Sequence, residues 1–142
     1  MQRVLIATSN KSKFEEMLAE LSDLHFTFVS LKDLRLDTIE VEEPHDTLWE
    51  NALVKAKFFA KKTGLLTLAE DTGLFVQALK GAPGVMAKRY GPTAAARNAR
   101  VLSELKAATS KNRSAYFETT GCVYDPETEN FFFFKGRKII ES

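Results

Sequence analysis

The sequence has one cysteine, no long apolar run and no excess of one charge. A single cysteine, Cys122, excludes an internal disulfide and any zinc cage built from cysteines. We expect the Cys122 side chain to be buried among apolar residues. A lone cysteine also fits a reducing compartment, so we expect a cytoplasmic protein. The apolar run at residues 4–7 is too short for a signal sequence or a membrane span.

The charges nearly balance, with 20 basic and 19 acidic residues and a formal net charge of +1. Such a chain has no global field that would attract nucleic acid or an anionic membrane, so we expect neither partner. Any anion-binding site must therefore be local.

The apolar pattern predicts one α/β domain over residues 1–142, with a mixed, twisted sheet flanked by helices. The chain is expected to begin with a strand at 4–7, a helix carrying Phe14, Met17, Leu18 and Leu21, and a strand at 24–29. An irregular connection at 31–44 then leads to a second helix, which is capped by Asp46 or Thr47 and ended by Gly64. A third strand follows at 65–69 and is expected to stop at the acidic pair Glu70 and Asp71. The second half is expected to contain a Gly-Pro loop at 81–84, a helix at 93–108 with Ala95, Val101, Leu102 and Leu105 inside, and an antiparallel hairpin from 114–124 to 131–134.

Small polar residues and lysines lie where the first strand runs into the first helix, at Thr8, Ser9, Asn10 and Lys13. Backbone N–H groups at a helix N-terminus attract anions, and a lysine adds a point charge. The glycines of a Walker A loop are missing. The alternatives are that Ser9 or Asn10 simply caps the helix and that Lys13 is solvated.

Three further charged groups are candidates for chemistry. Glu70 and Asp71 follow a buried strand, where hard oxygen ligands suit Mg²⁺, although acidic residues are also common in turns. Glu50 and Lys55 are badly spaced for an i,i+4 pair on their helix, which weakens a purely helix-supporting role but leaves it open as the alternative. The basic pair Lys88 and Arg89 follows the loop at 81–84 and could close over a polyphosphate, or it could be an exposed charged pair.

In this order, the segments resemble those of the inosine triphosphate pyrophosphatase family. The resemblance rests on residues 7–13 (ATSNKSK) with Glu16, 47–56 (TLWENALVKA), 69–74 (AEDTGL) and 78–85 (ALKGAPGV), and it extends to Asn98 and residues 113–117. It covers nearly the whole chain. The family hydrolyses non-canonical purine nucleoside triphosphates (ITP, dITP, XTP) to the monophosphate and pyrophosphate, so the resemblance implies a Mg²⁺-dependent hydrolase that clears the nucleotide pool and forms a homodimer.

The resemblance also implies roles for single residues. Asp71 corresponds to the general base and metal ligand, Glu43 to a metal-binding glutamate, and Glu70 stands beside Asp71 as a further metal ligand. The residues implied to bind substrate are Thr8, Ser9, Asn10, Lys13, Lys55 and Thr72, with Lys88 or Arg89 as the basic residue of the loop.

The sequence departs from the family after Gly136. The glycine-rich Phe-Gly-Tyr-Asp and the Ser-His-Arg segments, which hold the base in the family, do not occur in it. We therefore expect a domain that lacks the family's C-terminal portion. The alternative function is that of a catalytically impaired truncated homologue, which binds a nucleotide or pairs with a partner chain through an exposed sheet edge.

Overall fold

The structure is a computed structural model, and it describes residues 2–85, 91–107 and 114–140. In chain order the elements are β1 (Arg3–Ile6), α1 (Lys11–Leu21), β2 (Thr27–Ser30), α2 (Leu48–Thr63), β3 (Leu66–Val76), a 3₁₀ turn (Gln77–Leu79), β4 (Pro83–Gly84), α3 (Ala94–Ala107), β5 (Ala115–Tyr124) and β6 (Phe131–Ile140). Strand β2 begins three residues later than the sequence pattern predicts.

The strands form one mixed sheet in the order β2-β1-β3-β5-β6, with β4 paired to β3 outside this path. Strand β1 runs parallel to both of its neighbours, β2 and β3. Strand β5 pairs antiparallel with β3 on one side and with β6 on the other. Helices pack against this sheet, so the predicted α/β domain with a mixed, helix-flanked sheet is confirmed.

Alternate residues of the central strands bury opposite faces of the sheet. Leu5, Ala69 and Cys122 belong to the core beneath α2, which contributes Ala52, Ala56, Phe59 and Ala60. Ile6 and Leu68 belong to a second core on the other face, where Met17 and Phe14 of α1 pack. The sheet therefore lies between α1 and α2, and residues on β3 face one helix or the other in turn.

Helix α2 has the two ends that its sequence predicts. The Thr47 side chain accepts a hydrogen bond from the backbone N–H of Glu50, so Thr47 rather than Asp46 is the N-cap. Gly64 ends the helix in the left-handed region at φ 73°, and its N–H donates to the carbonyl of Ala60. Lys61 and Lys62 in the last turn complement the helix dipole.

None of the helices in the described part of the chain is long and apolar enough to cross a membrane.

The prediction that the third strand stops at Glu70 and Asp71 is wrong. Strand β3 continues to Val76 because it pairs antiparallel with β5 from Thr67 to Val76. Its parallel pairing with β1 ends at Ile6 and Leu68, and so the acidic pair lies just past the carboxyl end of β1. Gly73 permits the close approach of β4, since a Cβ there would lie 2.8 Å from the Gly84 carbonyl oxygen.

The inner face predicted for α3 is also partly wrong. Leu102 is 60% exposed and Ala95 is exposed, while Val101 and Leu105 are half-buried. The start of the helix is as the sequence indicates, because the Thr93 hydroxyl accepts from the backbone N–H of Ala96. The apolar residues of this helix are thus only partly used in packing.

The predicted hairpin is present and longer than expected, with β6 extending to Ile140. Strand β6 lies at the edge of the sheet, and several of its large apolar side chains are exposed: Phe131, Phe132, Phe134 and Ile139.

Cys122 lies fully buried in the core beneath α2, as predicted. Burial raises the pKa of its thiol to about 11. At pH 8 the thiolate, which is the nucleophile, is therefore scarce as well as inaccessible. We expect no reaction with a disulfide reagent in the native protein and complete reaction in denaturant. Rapid stoichiometric labelling of the native chain would contradict this placement.

Candidate functional site

The predicted site residues meet around one cavity of about 700 Å³ at the carboxyl end of β1. Its lining comprises residues 7–10 and Lys13, then Leu31, the segment 37–41, Glu43, Lys55, Phe59, residues 70–72 and Arg97. Of the described residues that the sequence singled out for chemistry, Glu50 does not reach this cavity, and the others line it: Thr8, Ser9, Asn10, Lys13, Glu43, Lys55, Glu70, Asp71 and Thr72. Lys88 and Arg89 lie outside the described residues.

The N-terminus of α1 opens onto the cavity. Asn10 caps this helix, because its Oδ1 accepts from the backbone N–H of Lys13 at 3.1 Å. The Thr8 hydroxyl in turn accepts from the N–H of Asn10 at 3.2 Å. The capping interpretation is therefore correct, and it is compatible with anion binding, because the same turn presents the positive end of the helix dipole to the cavity.

The alternation of β3 divides the acidic pair between the two faces of the sheet. Glu70 and Thr72 share the parity of Leu68 and face α1, whereas Asp71 shares the parity of Ala69 and faces α2. The Glu70 carboxylate therefore lies on the side of α1, and the Asp71 carboxylate lies on the side of α2.

On the α1 side, Lys13 contacts two residues of β3. Its Nζ lies 3.4 Å from Glu70 Oε1 and donates to the Thr72 hydroxyl at 3.2 Å. The Thr72 hydroxyl is also 2.8 Å from that of Thr119 on β5, so the position of Thr72 is set from two directions. Lys13 thus joins the helix N-terminus to the strand that carries the acidic pair.

On the α2 side, Lys55 and Glu43 form a mostly buried ion pair. Lys55 Nζ lies 2.6 Å from Glu43 Oε1, and the two side chains are 17% and 12% exposed. Lys55 Nζ also donates to the backbone carbonyl of Glu70 at 3.0 Å. Glu50 is engaged elsewhere, with Thr47 and His45, which agrees with the poor spacing between Glu50 and Lys55.

Asp71 is buried at 4% exposure and receives a hydrogen bond from Asn51, whose Nδ2 lies 3.2 Å from Asp71 Oδ2. Asn51 and Lys55 are one turn apart on α2 and so lie on the same side of the helix. A carboxylate held this far from solvent can act as a base or as a metal ligand.

The charges lining the cavity do not cancel. Its described walls carry five carboxylates (Asp37, Glu40, Glu43, Glu70 and Asp71) and three cations (Lys13, Lys55 and Arg97). A triphosphate would be repelled by this excess of negative charge unless a cation accompanied it. No three His, Cys, Asp or Glu side chains of the described residues form a group that could hold a metal ion by themselves. One or two of these carboxylates could still serve as oxygen ligands of a hard divalent cation whose shell is completed by water and phosphate oxygens.

Sequence reasoning missed Arg97, the segment 37–41 and the part played by Asn51. Arg97 lies on α3 and reaches the cavity only through the tertiary fold, with its Nε donating to the Gly91 carbonyl at 2.8 Å. Asn51 could have been found, since a polar residue one turn before Lys55 shares its helix face.

A model of the Ham1 family matches residues 4–138 of the chain. Among curated proteins, a dITP/XTP pyrophosphatase of Geobacter sulfurreducens is 45% identical over 136 residues, which are 94% of this chain and 68% of that protein. A dITP/XTP pyrophosphatase of Coxiella burnetii is 38% identical over 132 residues, 91% of this chain and 65% of that protein. The chain thus spans about two thirds of the length of these relatives.

Solved structures resemble the whole fold. A HAM1 protein from Coxiella burnetii superposes with a TM-score of 0.86 at 36% identity, covering 99% of this chain and 73% of that one. The Ham1 protein of Staphylococcus aureus superposes with a TM-score of 0.80 at 27% identity, covering 99% of this chain and 71% of that one.

Proposed function

Since the chain belongs to the Ham1 family, we propose that it hydrolyses ITP, dITP and XTP to the nucleoside monophosphate and pyrophosphate. The observation that carries the proposal is the convergence of a helix N-terminus, Lys13, Lys55 and Asp71 on one cavity. These are the groups that a polyphosphate hydrolase needs: donors and cations for phosphate oxygens, and a carboxylate for water. The names of the relatives include two of these substrates, dITP and XTP.

The triphosphate would lie between the two lysines, with Thr8, Ser9 and Asn10 at one end. In this structure Lys13 is paired with Glu70 and Lys55 with Glu43. Binding of substrate together with a cation would exchange these pairs for lysine–phosphate and carboxylate–cation contacts. Thr72 would donate a hydrogen bond from its hydroxyl to the substrate, and the Thr119 hydroxyl would then donate to Thr72.

Asp71 and Glu43 would hold Mg²⁺, and Glu70, which lines the same cavity from the other face of β3, would be a further ligand. No other cofactor is proposed. A bound divalent cation supplies charge neutralisation and polarises phosphate oxygens. Because no group of three ligands is preformed among the described residues, we propose that the cation arrives with the substrate rather than resting permanently in the protein.

Asp71 would act as the general base. It would accept a proton from water as the water oxygen attacks the α-phosphorus, and the bond from that phosphorus to the bridging oxygen would break. Pyrophosphate leaves with the electron pair of that bond, and Lys13 and Lys55 offset its growing negative charge. The monophosphate retains the oxygen that came from water.

A pyrophosphate-release assay tests this function. The parent chain is incubated with dITP, XTP, dATP or dGTP, with Mg²⁺ or with EDTA. We expect release from dITP and XTP that exceeds release from dATP and dGTP and that stops in EDTA. Release at the enzyme-free rate from every substrate would overturn the proposal and favour the alternative, an impaired homologue that binds nucleotide or a partner chain.

Arg97 is expected to strengthen substrate binding. Arg97 lines a cavity whose described walls carry more carboxylates than cations, and a hydrogen bond to a charged group contributes about 1.5–3 kcal/mol. Arg97→Ala should therefore raise KM for dITP on the order of tenfold while kcat changes by about twofold or less. Arg100→Ala, on the same helix and paired instead with Glu104, is the matched control. An unchanged KM in Arg97→Ala would remove Arg97 from the site.

The proposal also covers the oligomeric state and the cellular location. The exposed aromatic residues of β6 support self-association, so we propose a homodimer, and sedimentation at increasing concentration tests it. The single cysteine is compatible with the reducing cytoplasm, where the substrates would be found.

A further inference from the structure

The Asn51 side chain is buried at 3% exposure, and each of its polar atoms has a partner. Its Oδ1 accepts from the backbone N–H of His45 at 3.0 Å. Its Nδ2 donates to the carbonyl oxygen of His45 at 3.2 Å and to Asp71 Oδ2 at 3.2 Å. A buried amide is costly unless it is fully hydrogen-bonded, so this arrangement is a closed network and not an accident of packing.

The two bonds to His45 and the bond to Asp71 serve different ends. The two bonds to His45 attach the backbone that precedes α2 to the helix, at a point two residues after Glu43. That attachment does not require Asp71. The third bond joins the helix to the carboxylate on β3, and because a carboxylate is planar, holding Oδ2 also fixes the direction of its other oxygen.

We propose that Asn51 is a positioning residue. It holds the Asp71 carboxylate in the orientation in which Asp71 accepts a proton from the water that attacks the α-phosphorus. The inference rests on the proposed function, since it assigns Asn51 to the same reaction. The charged groups around the carboxylate are Lys55 and Glu43 on the α2 side and Glu70 and Lys13 on the α1 side. The neutral Asn51 amide donates directly to Asp71 Oδ2 at 3.2 Å.

Kinetics of Asn51→Ala test the proposal. We expect kcat for dITP to fall on the order of ten- to a hundredfold, the loss corresponding to one hydrogen bond to a charged group. KM should change by about twofold or less, because Asn51 does not line the cavity. The Kd for a dITP analogue with a methylene group in place of the α,β-bridging oxygen should be equally unaffected.

Thr47→Ala is the matched control, because Thr47 caps the same helix end without contacting Asp71. It should lower Tm while kcat stays close to that of the parent. If Thr47→Ala lowers kcat as much as Asn51→Ala does, Asn51 acts by holding the chain before α2, and the proposal is overturned. If Asn51→Ala does not fold, Asn51→Leu keeps the volume of the side chain, lacks the donor to Asp71, and should show the same fall in kcat.

A double-mutant cycle with Asp71→Asn decides the matter. If Asn51 acts through the Asp71 carboxylate, Asn51→Ala should add little to the loss already caused by Asp71→Asn. Full additivity, or a parent-like kcat in Asn51→Ala, would overturn the proposal while the parent remains an active pyrophosphatase. An inactive parent would instead overturn the proposed function, and the role of Asn51 with it.

Discussion

Asp71→Asn is expected to lower kcat for dITP hydrolysis by about a thousandfold or more, since general-base catalysis contributes roughly 10²–10⁴ and the same carboxylate is proposed to hold the cation. The substitution keeps the shape of the side chain but removes its ability to accept a proton. Steady-state pyrophosphate release over a range of dITP concentrations measures the effect.

The fold should survive this substitution. The amide oxygen of an asparagine at position 71 can still accept from Asn51 Nδ2, so we expect a Tm close to that of the parent. Asp46→Asn, which changes an exposed carboxylate just before α2, is the control and should retain full activity. Asp71→Asn with at least a tenth of the parent kcat would exclude Asp71 as the base.

Lys55→Met is expected to reduce both activity and stability. It removes a cation from the proposed phosphate site, for which we expect kcat/KM to fall on the order of a hundredfold. It also leaves Glu43, only 12% exposed, without the lysine that lies 2.6 Å away. Breaking a buried pair from one side costs about 3 kcal/mol, so Tm should fall by roughly 10 °C.

The double variant Glu43→Gln/Lys55→Met separates these two effects. Removing both charges eliminates the uncompensated carboxylate, so much of the lost Tm should return. Activity should not return, because both a phosphate-binding cation and a metal-binding carboxylate are then absent. Thermal unfolding and pyrophosphate release on the same preparations measure both properties. A Lys55→Met variant as stable as the parent would show that the pair does not support the fold.

The parts of the fold that sequence reasoning recovered are those determined by local chemistry. Thr47 and Gly64 mark the ends of α2 through capping interactions that involve only neighbouring residues. The β5–β6 hairpin likewise follows from alternation on both sides of the turn that begins at Asp125. These elements could be predicted because their signals lie within one or two turns of chain.

The wrong predictions concern contacts between distant segments. Strand β3 continues through Glu70 and Asp71 because β5, some fifty residues later, pairs with it from Thr67 to Val76. The sequence pattern marks only the buried first half of the strand. Leu102 was expected inside because its spacing is helical, but periodicity does not reveal whether the sheet extends far enough to cover that face.

The site shows the same division. Thr8, Asn10, Lys13, Lys55 and Asp71 could be chosen from their residue types and order, and the structure brings them to one cavity. Arg97 could not be chosen, because only the return of α3 to the cavity distinguishes it from the other arginines of the sequence. Asn51 was visible in its motif, but its bond to Asp71 depends on how α2 packs against β3.

The most direct test of the account is hydrolysis of dITP in ¹⁸O-labelled water, with the products identified by phosphorus NMR. Attack at the α-phosphorus, with Asp71 as base, predicts equal amounts of labelled dIMP and unlabelled pyrophosphate. Labelled pyrophosphate, or dIDP with inorganic phosphate, or no product above the enzyme-free rate, would contradict it.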